Sequence, residues 1–287
     1  MMRKYQDSDL NFVQKIDLLA SLEIQYHKDV DKDNIYTVIG NDGEIKGVLY
    51  FRYHYTWEPE AAEQNRIVFN IVESEAGESV KEEMIEYAKK WCQNKKIECS
   101  AKKVCLSAWI DDTDYTALQF YLSHGFTEEL PCPCHKFDLE QNIPEYPVLD
   151  GMRIEQLPFE PESVNKFIEA SKEANGGVPD SINELWFMSG DDSYKIFVLM
   201  DGNRIVSSAS IWRINEERSA IENIFTTSAY RNHNMARCII AYALRQQKEM
   251  GYKTATLSMR GNNKKALQLY QSLGFKLYYN QIELRYE

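Results

Sequence analysis

Residues 117–126 read Ala-Leu-Gln-Phe-Tyr-Leu-Ser-His-Gly-Phe, and residues 266–275 read Ala-Leu-Gln-Leu-Tyr-Gln-Ser-Leu-Gly-Phe. The two stretches align without a gap at an offset of 149 residues, Ala117 against Ala266. A repeat this long, with copies of about 140 residues each, reads as two similar domains made by duplication. It constrains the fold more than any other feature of the chain.

The rest of each half follows one plan. Alternating, β-rich runs are broken by Asp-Gly at Asp42-Gly43 and at Asp201-Gly202. Such a break predicts a hairpin with both turn residues at positive φ. A third strand is predicted over 66–72 and again over 220–227, followed each time by a long helix. In the second half that helix shows Met235, Ile239 and Ala243 with Ile240 and Leu244 on one stripe, and Gly251 as its stop. Between the copies, residues 139–147 contain Pro144 and Pro147 and no apolar period, which reads as an extended linker. The expectation is a mixed α/β chain with domains at 1–145 and 146–287.

Charge is uneven. Residues 1–150 hold 28 Asp+Glu against 16 Lys+Arg, and residues 151–287 hold 16 against 17. No basic stripe is present, so nucleic acid is not expected as a partner. The acidic first half suits cationic small molecules or basic peptides, or serves solubility alone. The longest strongly apolar run, 196–200, is far short of the roughly 20 residues of a membrane span, and residues 1–20 lack a signal-peptide pattern. A cytoplasmic location without membrane contact is expected. Of the six cysteines only Cys132 and Cys134, followed by His135, cluster, and no second cluster completes a zinc set. Free thiols and no metal are expected.

Chemistry is best sought where a strand meets a helix. The loop 228–237 leads into a helix N-terminus, whose unpaired N–H groups and dipole favour an anion, with Arg231 and Arg237 adding charge. A plain solvated turn is the other reading. This loop has the form Arg231-x-x-Asn234-x-Ala236, and downstream lies Asn263-x-x-Ala266-x-x-x-Tyr270-x-x-x-Gly274-Phe275. Together they resemble the signatures of the GNAT superfamily of acetyl-CoA-dependent N-acetyltransferases, closely over 190–287 and weakly in the first half.

The resemblance implies two tandem GNAT-like domains, each with a mostly antiparallel mixed sheet flanked by helices. It implies acetyl-CoA as co-substrate in a cleft where strands 220–227 and 254–259 splay apart. Backbone at Ile224, Phe225 and Thr226 would meet the pantetheine arm. Asn232, His233, Asn234, Met235, Ala236, Arg231 and Arg237 would hold the pyrophosphate, and Asn263 would combine helix capping with contact to the arm. Asn234 stands where the family usually has glycine, and asparagine is the side chain most tolerant of left-handed backbone. His233 is read as a surface residue of this loop rather than a catalyst.

Glu222 is a carboxylate in a predicted central strand and needs a partner: a salt bridge, an edge position, or a role as general base for an alkylammonium. The family position implies the base. Tyr270 is either a core aromatic or the proton donor to the leaving thiolate. Cys238, inside the loop's helix, is poorly placed for nucleophilic work. The first half differs: residues 73–83 carry five carboxylates and no arginine, Ser79 and Glu82 form a capping box, and Asp114 replaces the family's asparagine. It is read as degenerate, with Tyr121 left to packing.

The expected activity is transfer of acetyl to a primary amine in a ternary complex, the acceptor most readily a small molecule. Acetylation of peptide N-termini or lysines, and a coenzyme-binding module without turnover, are the rivals. Acceptor choice would fall to 163–171, the loop to Asp180 and the helix capped by Ser181 and Glu184, with Trp186 and Trp212 lining a pocket or packing the core.

Overall fold

Apolar residues alternate along Ile196–Met200 between two cores. Phe197 and Leu199 go to one, and Ile196, Val198 and Met200 to the other. A strand buried on both faces needs helices on both faces, and that arrangement organises the computed structural model. It describes residues 1–54, 64–74, 78–98, 103–129 and 131–287.

The elements, in chain order, are β1 (Met2–Lys4), α1 (Leu10–Ile16), α2 (Leu18–Tyr26), β2 (Tyr36–Ile39), β3 (Ile45–His54), β4 (Gln64–Glu73), α3 (Glu78–Glu98), β5 (Lys103–Asp111), α4 (Tyr115–Ser123), β6 (Thr127–Glu128) and β7 (Cys132–Asp138). They continue as β8 (Met152–Gln156), α5 (Pro161–Ala174), α6 (Ile182–Met188), β9 (Lys195–Asp201), β10 (Arg204–Arg213), β11 (Arg218–Thr226), α7 (Met235–Glu249), β12 (Thr254–Ser258), α8 (Lys264–Leu273) and β13 (Lys276–Tyr286). Among the described residues no helix is long and apolar enough to cross a membrane.

The chain divides into two units that do not follow chain order strictly. The first is Met1–Ile110, Asp114–Glu129 and Glu283–Glu287; the second is Asp111–Thr113 and Leu130–Ile282. In the first, β1 to β4 pair antiparallel in sequence order and β4 then runs parallel to β5. Val13, Ile24, Val48 and Tyr50 fill a core under α1 and α2. In the second, β8 to β11 pair antiparallel in order, β11 runs parallel to β12, and β12 pairs with β7. One face packs on α7 and α8, the other on α5 and α6.

The expected elements are present, with three differences. At the first hairpin only Gly43, at φ 80°, takes positive φ, and Asp42 does not. At the second hairpin Arg204 pairs with Asp201, and of the turn residues only Gly202 takes positive φ, 56°. The turn therefore centres on Gly202-Asn203 instead of Asp201-Gly202. Residues 139–147 have no regular structure, but Leu139 and Ile143 are buried in the α7-side core, so the segment is docked chain and not a free tether.

The closing helices repeat their local chemistry. Asp114 Oδ1 accepts from the Ala117 N–H at 3.0 Å, and Asn263 Oδ1 accepts from the Ala266 N–H at 3.1 Å. Each caps a helix start. Gly274, at φ 100°, ends α8, where a Cβ would also press on the Phe137 ring at 3.3 Å. The stripe on α7 is as read: Met235, Ile239, Ile240, Ala243 and Leu244 are all buried.

Candidate active site

β11 carries the site because it is paired unequally on its two sides. It pairs with β12 only at Arg218, Ser219 and Ala220, so from Ile221 onward that edge is open. Its other edge pairs with β10 through a register shift. Ser208 faces Phe225 and Ser210 faces Glu222, which leaves Asn223 and Ile224 together opposite one residue of β10. This is a β-bulge, with Asn223 at φ 47°.

The bulge decides which way side chains point. In a regular strand Ile221 and Phe225 would share a face. Here Ile221 lies in the α7-side core, while Phe225 lies in the α5-side core, its ring 5.3 Å from that of Phe167. Ile224 packs on the α7 side. Of Ile224, Phe225 and Thr226, the first two commit their side chains to packing. The Thr226 hydroxyl meets Ser207 Oγ at 2.9 Å. What this stretch offers a ligand is backbone.

After β11 the chain makes a short turn and enters α7. Asn232 and Asn234 both adopt left-handed backbone, φ 65° and 63°. Asn234 is the residue before the helix, so the position expected to need glycine does need left-handed geometry, and asparagine supplies it. The first helical bond into Asn234 comes from Cys238, and the N–H groups of residues 232–237 donate to no acceptor among the described residues. Left-handed residues before a helix start aim successive N–H groups into one concavity, which suits a phosphate. Asn232, His233 and Asn234 are exposed there; Met235 is buried and fixes the helix instead.

The two arginines are differently employed. Arg231 donates from Nε to the Thr226 carbonyl at 3.2 Å and from Nη2 to the Ala174 carbonyl at 2.7 Å. It ties the loop to the end of β11 and to the last turn of α5, with two of its five N–H donors engaged in these bonds. Arg237 donates to Asn234 Oδ1 at 3.1 Å and to Ser272 Oγ at 3.0 Å, bracing the loop against α8. Ala236 is half-buried.

Glu222 stands immediately before the bulge. The protein around it disfavours its charged form and raises its pKa to about 7. The Trp212 indole opposes the rise and the Glu184 carboxylate adds to it. Glu222 makes no salt bridge among the described residues.

On the α5–α6 side lies a polar group that sequence reading did not assemble. The Tyr194 hydroxyl and Ser210 Oγ both donate to Asn223 Oδ1, at 3.1 and 2.7 Å. Asn223 Nδ2 in turn donates to Asp180 Oδ2 at 3.4 Å. Burial pushes Asp180 up to about 6. It also pushes Tyr194 well above the usual phenol range, helped by Glu222, Asp180 and Glu184. Ser181 caps α6 as expected, accepting from the Glu184 N–H at 3.2 Å. Trp186 and Trp212 pack at the edge of the α5-side core. The only sequence signal for this group was Asn223 standing next to Glu222.

Tyr270 is buried on α8, 6.1 Å from the Phe275 ring, and burial raises its pKa to about 12. Its hydroxyl makes no hydrogen bond among the described residues. Asn263, as noted, caps α8. Cys238 is buried and its thiol is held above its usual range by burial.

The first unit differs at the points that matter. β4 also leaves β5, after Val68, so a separation of strands is common to both units. However, β3 and β4 pair from Gly47↔Glu73 to His54↔Arg66 with no register shift, so there is no bulge. Glu73 pairs with Lys81 at 3.6 Å. Tyr121 is buried among Phe69, Phe120 and Phe126. Residues 75–77, within the acidic segment, and the Ser79 side chain of the capping box lie outside the described residues.

Comparison with known proteins agrees with this geometry. Residues 192–277 match the family model described as an acetyltransferase (GNAT) domain. Among solved structures, a tandem GNAT protein from the clavulanic acid biosynthesis pathway is 11% identical with a TM-score of 0.71, covering 100% of this chain and 98% of that one. A GCN5-related N-acetyltransferase from Sphaerobacter thermophilus is 15% identical with a TM-score of 0.66, covering 100% and 95%. Another from Kribbella flavida is 15% identical with a TM-score of 0.58, covering 96% and 94%. At these identities the likeness is one of fold. No curated protein matches the chain. The chain therefore has a tandem GNAT fold, and residues 192–277 of its second unit match the acetyltransferase (GNAT) domain model.

Proposed function

We propose that the second unit moves an acetyl group from acetyl-CoA to the primary amine of a small molecule, by direct attack with both substrates bound. The observation that carries this reading is Glu222, a carboxylate beside the Trp212 indole on the open stretch of β11, outside any salt bridge among the described residues, with a pKa raised to about 7. A base poised near the working pH is what removal of an ammonium proton requires.

The residues present fit the coenzyme. The N–H groups of 232–237 form a free anion cradle for the pyrophosphate, and the backbone of 224–226 is an open strand edge for the amides of the arm. When bound, acetyl-CoA supplies an activated thioester. Glu222 takes the proton of the acceptor ammonium. The neutral nitrogen then forms the new C–N bond to the acetyl carbon as the C–S bond breaks. Tyr270, whose hydroxyl is otherwise unused, gives its proton to the departing sulfur and regains one from solvent, while the acylated nitrogen loses its second proton to solvent. No residue becomes acylated; Cys238 is buried and held as a thiol.

The first unit is read as having lost coenzyme binding, since it has neither the bulge nor, over residues 73–83, an arginine. The test is release of coenzyme thiol from acetyl-CoA against a mixed panel of amines, amino acids, polyamines and peptides. Release with small amines supports the reading. Release with peptides alone moves the acceptor to protein N-termini or lysines. Coenzyme binding without release on any acceptor leaves a binding module.

A further inference from the structure

The bulge on β11 is held by something, and the holder is a side chain. Asn223 sits in left-handed backbone, φ 47°, a conformation that costs an ordinary residue about 1 kcal/mol or more. Its amide makes three hydrogen bonds to three different regions of the second unit: Tyr194 before β9, Ser210 on β10 and Asp180 in the loop before α6. The chemistry fixes its orientation. Two hydroxyls donate to Oδ1, and a carboxylate can only accept from Nδ2. Asp180 is itself seated, its N–H donating to Ser171 Oγ at 3.0 Å.

We infer that Asn223 is the positioning residue of the reaction, its amide clamping the bulge so that Glu222 faces the acceptor side while the backbone of 224–226 faces the coenzyme. The parity argument supports this. The shift in register lets two consecutive side chains lie on the α5–α6 side, Asn223 bonded to Tyr194 and Asp180 and Glu222 beside Trp212 and Glu184, which an unbroken strand forbids. The same clamp joins the loop at Asp180 to the strand that meets the coenzyme. One amide thus sets base, strand edge and acceptor loop together. The first unit provides the internal contrast: its equivalent strand pair has no register shift.

This rests on the proposed acetyl transfer, and a charge-exchange experiment separates the two. Asn223→Asp keeps the acceptor for both hydroxyls but turns the donor toward Asp180 into a second carboxylate. Asp180→Asn then restores a donor on the other side. On the full chain, with acetyl-CoA and the best amine from the panel, N223D is expected to lower kcat/KM by about thirtyfold and to weaken acetyl-CoA binding, because buried like charges repel. D180N keeps an amide oxygen to accept the same bond and serves as the reference for the double variant, its loss smaller than that of N223D. The double variant N223D/D180N returns to within about threefold of D180N, since coupled sites are strongly non-additive.

Wild-type activity in N223D overturns the inference. So does a double variant no better than N223D, and so does a loss in D180N equal to that in N223D. A lower melting temperature with unchanged activity per folded molecule also overturns it. Where N223D does not fold, the double variant decides alone by the same threshold. A wild-type chain that neither binds acetyl-CoA nor releases thiol removes the proposed function and the clamp with it.

Discussion

At the scale of single residues, Glu222 and Tyr270 share a feature: the protein packed around each raises its pKa. Glu222 is needed as the carboxylate, so wild-type kcat/KM should rise as pH rises through about 7 and level off above it. Glu222→Gln removes that acid limb and lowers kcat/KM at neutral pH by about 10²–10⁴-fold. The gap narrows as pH nears the amine's own pKa, about 10.4 for a lysine-like acceptor, where free amine no longer needs a base. Parallel profiles with equal plateaus would leave Glu222 as an ordinary strand residue. Tyr270→Phe removes only the hydroxyl, so turnover should drop by about 10²-fold or more while acetyl-CoA affinity holds. An unchanged turnover with a lower melting temperature would return Tyr270 to packing.

Among elements, the ones set by local chemistry were legible and the ones set by pairing were not. Asn263 and Gly274 mark the start and stop of α8 by capping chemistry alone. Gly274→Ala should cost about 1–2 kcal/mol, from left-handed backbone plus pressure on Phe137. A urea midpoint unchanged by that substitution would contradict the cap. Asn234 was legible only through the family resemblance, as the position where glycine is usual, and it is left-handed before α7. The bulge at Asn223 was not, because it is a property of register between β10 and β11 and leaves no period in one strand's sequence. Arg231 shows the limit from the other side. Its charge was visible, but its use as a tie to Thr226 and Ala174 depends on where α5 ends.

For the whole molecule, the duplication was legible from one repeated helix, while the division of labour between the copies comes from small departures inside a shared plan. In both units the third and fourth long strands separate after a short parallel pairing. Among the described residues, only the second unit adds the bulge, the left-handed asparagines and the open N–H cradle. Which strand ends belong to which unit could not be read from the repeat. The last residues, Glu283–Glu287, group with the first unit, and β7 with the second, through pairings distant in sequence. The central claim is that one of two similar folds is the working one. Calorimetric titration of the full chain with acetyl-CoA tests it most directly. One coenzyme bound per chain is the predicted result; two equivalent sites, or none, would contradict it.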